Sequence, residues 1–146
     1  MNARPERPTR ADFPRFVSIG TRWEDNDVYG HVNNVVYYSF FDTAVNGLLI
    51  ESGALDLKSS GIVGLVVSNA CDYFASVAFP DVVEVGVRVD HIGRSSVRYI
   101  LGVFRAGDNE AAARGEFTHV YVERATQKPV AIPEKAHAFM ETLRGA

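Results

Sequence analysis

The chain has 146 residues, 47% of them hydrophobic and 23% charged, with a formal net charge of −3. That length and balance fit one globular domain with a core of ordinary size. No basic stripe is interleaved with aromatics, which excludes a typical nucleic-acid binder, and no apolar stretch reaches the ~18 residues of a membrane-spanning helix.

The single cysteine, Cys71, rules out an intrachain disulfide and points to a reducing compartment. The polar start of the chain carries Pro5 and Pro8 and lacks the apolar segment of a secretory signal. Residues 1–13 are therefore read as a flexible arm, residues 14–146 as one domain, and the protein as cytoplasmic.

Phe16 to Trp23 is the first strand candidate. Asp25-Asn-Asp-Val-Tyr-Gly30 follows as turn chemistry, and Asn33 or Asn34 is suited to cap a helix. From Val35 to Ile50 apolar residues nearly surround the helix, leaving one narrow polar stripe of Ser39, Asp42, Thr43 and Asn46. Such a helix is buried over most of its circumference. In so small a chain the simplest cover is a sheet wrapped around it. Ser52-Gly53 ends the helix, and four strand-like runs come next: Gly64 to Val77, Asp81 to Ile92, Ser95 to Arg105, and Ala112 to Glu123. The second alternates cleanly, with Val83, Val85, Val87 and Val89 on one face. Short turns join the last three into an antiparallel meander. Pro133 opens a final helix to Leu143, with Ala136, Phe139, Met140 and Leu143 as its apolar stripe. Helix and strands are segregated, so the fold class is α+β, with a long buried helix, five strand-like runs and a short C-terminal helix.

Chemistry concentrates in one place. Asp27, Gly30, His31, Asn33 and Asn34 fall within eight residues, just ahead of the long helix. A carboxylate, an imidazole and a helix N-terminus then face one small volume. The helix start offers N–H groups without intrahelical partners and the positive end of the macrodipole. This combination suits attack on a carbonyl with stabilisation of the resulting oxyanion.

Four segments, in this order, resemble the hotdog-fold thioesterases, in particular the 4-hydroxybenzoyl-CoA thioesterase-like group. They are Asp27-Val-Tyr-Gly-His-Val-Asn-Asn34 with Tyr37 and Phe40-Phe41 behind it, Cys71-Asp-Tyr-Phe74 ahead of Pro80-Asp81, His91-Ile-Gly-Arg-Ser-Ser-Val97, and Lys128-Pro-Val-Ala-Ile-Pro-Glu134. The resemblance covers roughly Phe16 to Phe139. It implies a five-stranded antiparallel sheet wrapped around the long central helix, and hydrolysis of an acyl thioester of coenzyme A or acyl carrier protein, without a metal or redox cofactor. It also implies a homodimer or dimer of dimers whose sites lie between subunits.

By that resemblance Asp27 is the nucleophile or the base that activates water, the main-chain N–H of Asn34 binds the oxyanion, and His31 assists. The plant acyl-carrier-protein thioesterases have a similar run, with Asn where this chain has Tyr29. Substrate contacts are expected from Asn33, Tyr37 and Tyr73, and from Arg94, Ser95 and Ser96 toward the phosphates or pantetheine of the carrier. Arg88 and Arg98 are weaker candidates for a basic rim. A calcium-loop reading of Asp25, Asp27 and Gly30 fails, because Tyr29 and Val36 stand where oxygen ligands are needed. His91, His119 and His137 have no metal-ligand spacing, and Cys71 has no base at a diagnostic distance. Two alternatives stay open: a hydratase or dehydratase of acyl thioesters, and a non-catalytic acyl-CoA-binding protein.

Overall fold

The computed structural model describes residues 5–56 and 61–145. Strand β1 (Arg15–Gly20) is followed by helix α1 (Val36–Glu51), then β2 (Ile62–Tyr73), β3 (Val82–Ile92), β4 (Ser96–Arg105), β5 (Ala113–Glu123) and helix α2 (Glu134–Glu141). The strands form one antiparallel sheet in the order β1-β3-β4-β5-β2. The meander β3-β4-β5 sits in the centre, and the two strands that flank α1 in sequence occupy opposite edges. This is the hotdog fold, with α1 as its filling.

The core is the contact between α1 and the inner face of the sheet. Tyr37, Phe40, Phe41, Ala44, Val45, Leu48 and Leu49 of α1 are buried, as are Val83, Val85, Val87 and Val89 of β3. The β-branched alternation seen in the sequence thus points inward at the helix. On β5 the inward residues are Ala113, Gly115, Phe117, His119 and Tyr121. The outer face carries a second, smaller cluster of Phe13, Ile100, Phe104 and Ala111.

Phe13 shows how that outer cluster closes. A Cβ on Gly86 or Gly102 would lie 2.6 or 2.7 Å from its ring, so only glycine lets Phe13 lie flat on the sheet. The segment expected to be flexible through residue 13 is therefore docked over its later part. The Pro8 carbonyl accepts from Ala111 N–H, Arg10 Nε donates to the Asp108 carbonyl, and Arg10 Nη2 reaches Glu84 at 2.8 Å. The buried Phe13 ring, the main-chain bond of Pro8 and the Arg10 side-chain bonds outweigh the polar, proline-containing composition that suggested an arm.

Edge strand β2 behaves differently from the rest. Its middle is solvent-exposed on both faces, with Leu65 at 38%, Val66 at 43% and Val67 at 59%. A register shift between Val66 and Ser68 marks a bulge there. β2 is also shorter at its end than the sequence suggests. Phe74 and Ala75 both donate to the Ala112 carbonyl, and Val77 turns inward to accept from Val32 N–H at 2.7 Å. No helix among the described residues is long and apolar enough to cross a membrane.

Candidate active site

The loop between β1 and α1 is a small closed structure. Asp25 anchors it: the carboxylate is 2% exposed and accepts from Arg22 N at 2.7 Å, Nε at 3.1 Å and Nη2 at 2.8 Å. The Asp25 carbonyl takes Asn33 N–H at 2.9 Å. Asp25 therefore builds the loop rather than a metal site. Asn26 and Val32 form an isolated bridge, and inside it Asp27 N–H donates to the His31 carbonyl at 2.9 Å. Gly30 N–H closes a turn on the Asp27 carbonyl, and Gly30 has φ 83°, a conformation costly for other residues. Asp27 sits half-buried on this turn, with Oδ1 accepting Tyr29 N–H at 2.9 Å.

The His31 ring is exposed, and the structure records no hydrogen bond between it and the Asp27 carboxylate among the described residues. The two residues are tied through their main chains. His31 is thus close to Asp27 in the loop but is not oriented by it.

The start of α1 singles out one donor. Val32 N–H goes to the Val77 carbonyl and Asn33 N–H to Asp25. Val35 N–H goes to Asn33 Oδ1 at 3.1 Å, and Val36 and Tyr37 donate to the carbonyls of Asn33 and Asn34. In the run from Val32 to Tyr37, Asn34 is the residue whose N–H has no partner among the described residues. Asn33 Oδ1, accepting from Val35 N–H, holds the turn that leads into α1, whereas the N-cap position itself is Val35 and carries no side-chain cap bond. The expectation that Asn33 or Asn34 caps the helix is corrected here: α1 begins at Val36, with Val35 before it.

Tyr73 closes the site from the sheet side. Its hydroxyl donates to the Asn34 carbonyl at 2.8 Å, and its ring meets Tyr37 edge-on at 5.0 Å. Burial, with the Cys71 thiol beside it, pushes the Tyr73 phenol up, so the hydroxyl stays protonated and a donor. Tyr37 is 2% exposed and packs behind Tyr73, its phenol pushed up to about 12, chiefly by burial. Cys71 lies beside them. Burial raises its thiol to about 11, so it is a neutral thiol near pH 7 and a poor nucleophile.

Arg94, Ser95 and Ser96 lie elsewhere. They form the β3–β4 turn, where the Ser95 carbonyl takes Tyr121 N–H and the Arg94 carbonyl takes Ile132 N–H. Ser96 begins β4, whereas Val103, seven residues on, pairs with Ala113 beside Tyr73. Within one chain the turn is therefore about 23 Å from the Tyr73 end of the sheet. Linear order could not reveal that separation. Arg88 and Arg98 are not a free basic rim: both face Asp90, at 3.8 and 2.7 Å.

Residues 21–140, which hold the loop, β2 to β5, α1 and all but the last residue of α2, match the thioesterase-like superfamily. The chain belongs to this family. A crystal structure of the PA5185 protein from Pseudomonas aeruginosa strain PAO1 is similar over 97% of this chain and 99% of its own, at 53% identity and a TM-score of 0.94. YsmA of Bacillus subtilis is 24% identical over 127 residues, 86% of this chain and 84% of its own. Slr0204 of Synechocystis, a 1,4-dihydroxy-2-naphthoyl-CoA thioesterase, has the same fold at 16% identity, with a TM-score of 0.78 over 86% of this chain and 93% of its own. Membership in the thioesterase-like superfamily makes thioester hydrolysis the general chemistry this hotdog fold serves.

Proposed function

We propose that the protein hydrolyses an acyl thioester, with coenzyme A or acyl carrier protein as the thiol portion. The observation that carries the reading is the unpartnered Asn34 N–H at the start of α1, in the loop that also presents Asp27. The thioester oxygen sits on that N–H, which polarises the carbonyl and holds the oxyanion as it forms. An Asp27 carboxylate oxygen attacks the carbonyl carbon. Collapse of the tetrahedral intermediate breaks the C–S bond and expels the thiolate, leaving a mixed anhydride that water cleaves to the free acid and Asp27. In the general-base version Asp27 takes a proton from the attacking water. A carboxylate suits both roles. His31, on the exposed side of the loop, assists the approach of water.

The chain works as a pair. β2 offers a long edge with exposed Leu65, Val66 and Val67, a surface that invites pairing with another copy. When a copy pairs by two-fold symmetry with both inner faces on one side, the strands run antiparallel. The Tyr73 end of one β2 then lies beside the Ile62 end of the other. The Arg94 turn belongs to that second end, so the second copy brings Arg94, Ser95 and Ser96 toward the first copy's Asp27. An Arg fork there suits the carrier's phosphates.

Release of free thiol from acyl-CoAs by the purified protein tests the reading. Binding of acyl-CoA without thiol release would favour a binding protein, and hydration of an unsaturated acyl-CoA a hydratase.

A further inference from the structure

The space between the C-terminal half of α1 and strands β2 and β5 holds a pocket of about 180 Å³, away from the Asp27 loop. Leu49 and Leu55 line it, together with Asn46, Gly64, His119 and Tyr121. His119 is the unusual member. It points inward from β5, is 2% exposed, and its ring is held edge-on by Phe117 at 4.7 Å and Tyr99 at 5.9 Å. Its Nδ1 is buried and has no hydrogen-bond partner among the described residues. A buried polar atom left in this state costs free energy unless something else satisfies it.

Two details aim that nitrogen at the pocket. A Cβ on Gly64 would lie 3.4 Å from His119 Nδ1 and 3.4 Å from Tyr121 Cζ, so the glycine leaves the nitrogen uncovered on the β2 side. On the helix side the Asn46 amide is already used, donating to the Asp42 carbonyl at 2.9 Å and to Asp42 Oδ1 at 3.0 Å.

We propose that this pocket receives the far end of the substrate's acyl group and that His119 Nδ1 hydrogen-bonds a hydroxyl carried there. The inference rests on the thioester reading above and narrows its substrate to hydroxylated acyl chains. A hydroxyl both donates and accepts, so it pairs with the neutral imidazole in either tautomer. A carboxylate is the wrong partner: the walls are largely apolar, and Asp42 places a negative charge nearby. Along α1 of one chain, Val36 to Asn46 spans about 15 Å. The proposed antiparallel pairing of two β2 edges gives a second approach, from the other copy's Asp27 end. The chain length that reaches the pocket is thus a result of the test.

The test measures binding of S-alkyl coenzyme A thioethers, from butyl to dodecyl, each with and without a terminal hydroxyl. These compounds cannot be hydrolysed, so the result is independent of Asp27. At one length the hydroxyl is expected to tighten binding to the wild-type protein by about tenfold. His119→Leu should bring the ratio of the two affinities close to one. Gly64→Ala, whose methyl fits at ordinary contact distance over Nδ1, should reduce the ratio at least about threefold and decides the matter if His119→Leu does not fold. Absence of any hydroxyl gain in the wild type would mean that water satisfies the nitrogen, and it would overturn the inference. So would an unchanged gain in the variants. Either result beside normal thiol release from acyl-CoAs overturns this inference alone, whereas a hydroxyl gain without thiol release upholds it and sinks the hydrolytic reading.

Discussion

The Tyr73 hydroxyl, at the end of β2, donates to the main-chain carbonyl of Asn34, 2.8 Å away at the start of α1. One bond thereby ties the sheet edge to the residue whose N–H is proposed to hold the oxyanion. Tyr73→Phe keeps the ring packed on Tyr37 and removes only the hydroxyl. It should lower kcat by about tenfold with little change in KM, and cost about 1 kcal/mol of stability. Steady-state kinetics beside thermal unfolding separate the two effects. A normal kcat with lowered stability would reduce Tyr73 to a packing residue.

Asp25 supports the same loop from below. Asp25→Ala removes the acceptor for Arg22 N and for the guanidinium, and should destabilise the fold by about 2 kcal/mol, read from urea unfolding. Arg22 is largely exposed, so its freed charge returns to water and adds little to that cost.

Much of this architecture is legible in the sequence, because α1 and the meander depend on local patterns. The near-continuous apolar surface of α1 and the alternating valines of β3 each specify an element and its buried face. The expected helix over 35–50 is Val36–Glu51 in the structure. What depends on long-range geometry is not legible. Nothing local says that β2 pairs with β5 at the edge opposite β1, or that the Arg94 turn lies at the other end of the sheet from Asp27. The docking of Phe13 needed Gly86 and Gly102 side by side on β3 and β4, a relationship that appears only once the strands are in register. Asp25 looked like a failed calcium ligand because the fold of the chain decides which side chains meet, even where the partner, Arg22, is only three residues away. His119 looked like a scattered histidine for the same reason.

Gly115 tests how tightly α1 is seated. A Cβ there would run into the Phe41 ring, which is fully buried. Gly115→Ala should cost about 1–3 kcal/mol through overpacking. Because Phe41 moves with α1, activity should fall as well, measured as thiol release at a temperature where the variant remains folded.

Acid should destabilise the protein through His119. Burial lowers its pKa from 6.5 to about 4, against a smaller opposing effect of the Asp42 carboxylate on α1. Its other close titratable neighbours are the Tyr99 and Tyr121 phenols, both raised by burial and neutral in this range. Between those two pKa values the unfolded chain binds a proton at this site and the folded chain does not. Stability therefore falls as pH falls through the window, by roughly 2 kcal/mol from about pH 7 to about pH 5. His119→Leu should lose less over the same interval. Urea midpoints at the two pH values check this, and an equal loss in both proteins would contradict it.

A lysine on the free edge tests the proposed pairing. Val67→Lys places a charge on β2 where a second copy would dock. The molar mass from light scattering should fall to that of one chain, and turnover should fall with it, since the Arg94 turn of the second copy is lost. A monomeric variant with full activity would show that one chain holds a complete site.

The most direct measurement is thiol release over a panel of acyl-CoAs by wild type, Asp27→Asn and Asp27→Ala. Asparagine preserves the shape of the loop, and its Oδ1 still accepts Tyr29 N–H, but it neither attacks nor takes a proton. We expect both variants to lose at least about 100-fold in kcat, with acyl-CoA binding retained, and His31→Ala to lose less. Turnover by both Asp27 variants at the wild-type rate would contradict the mechanism.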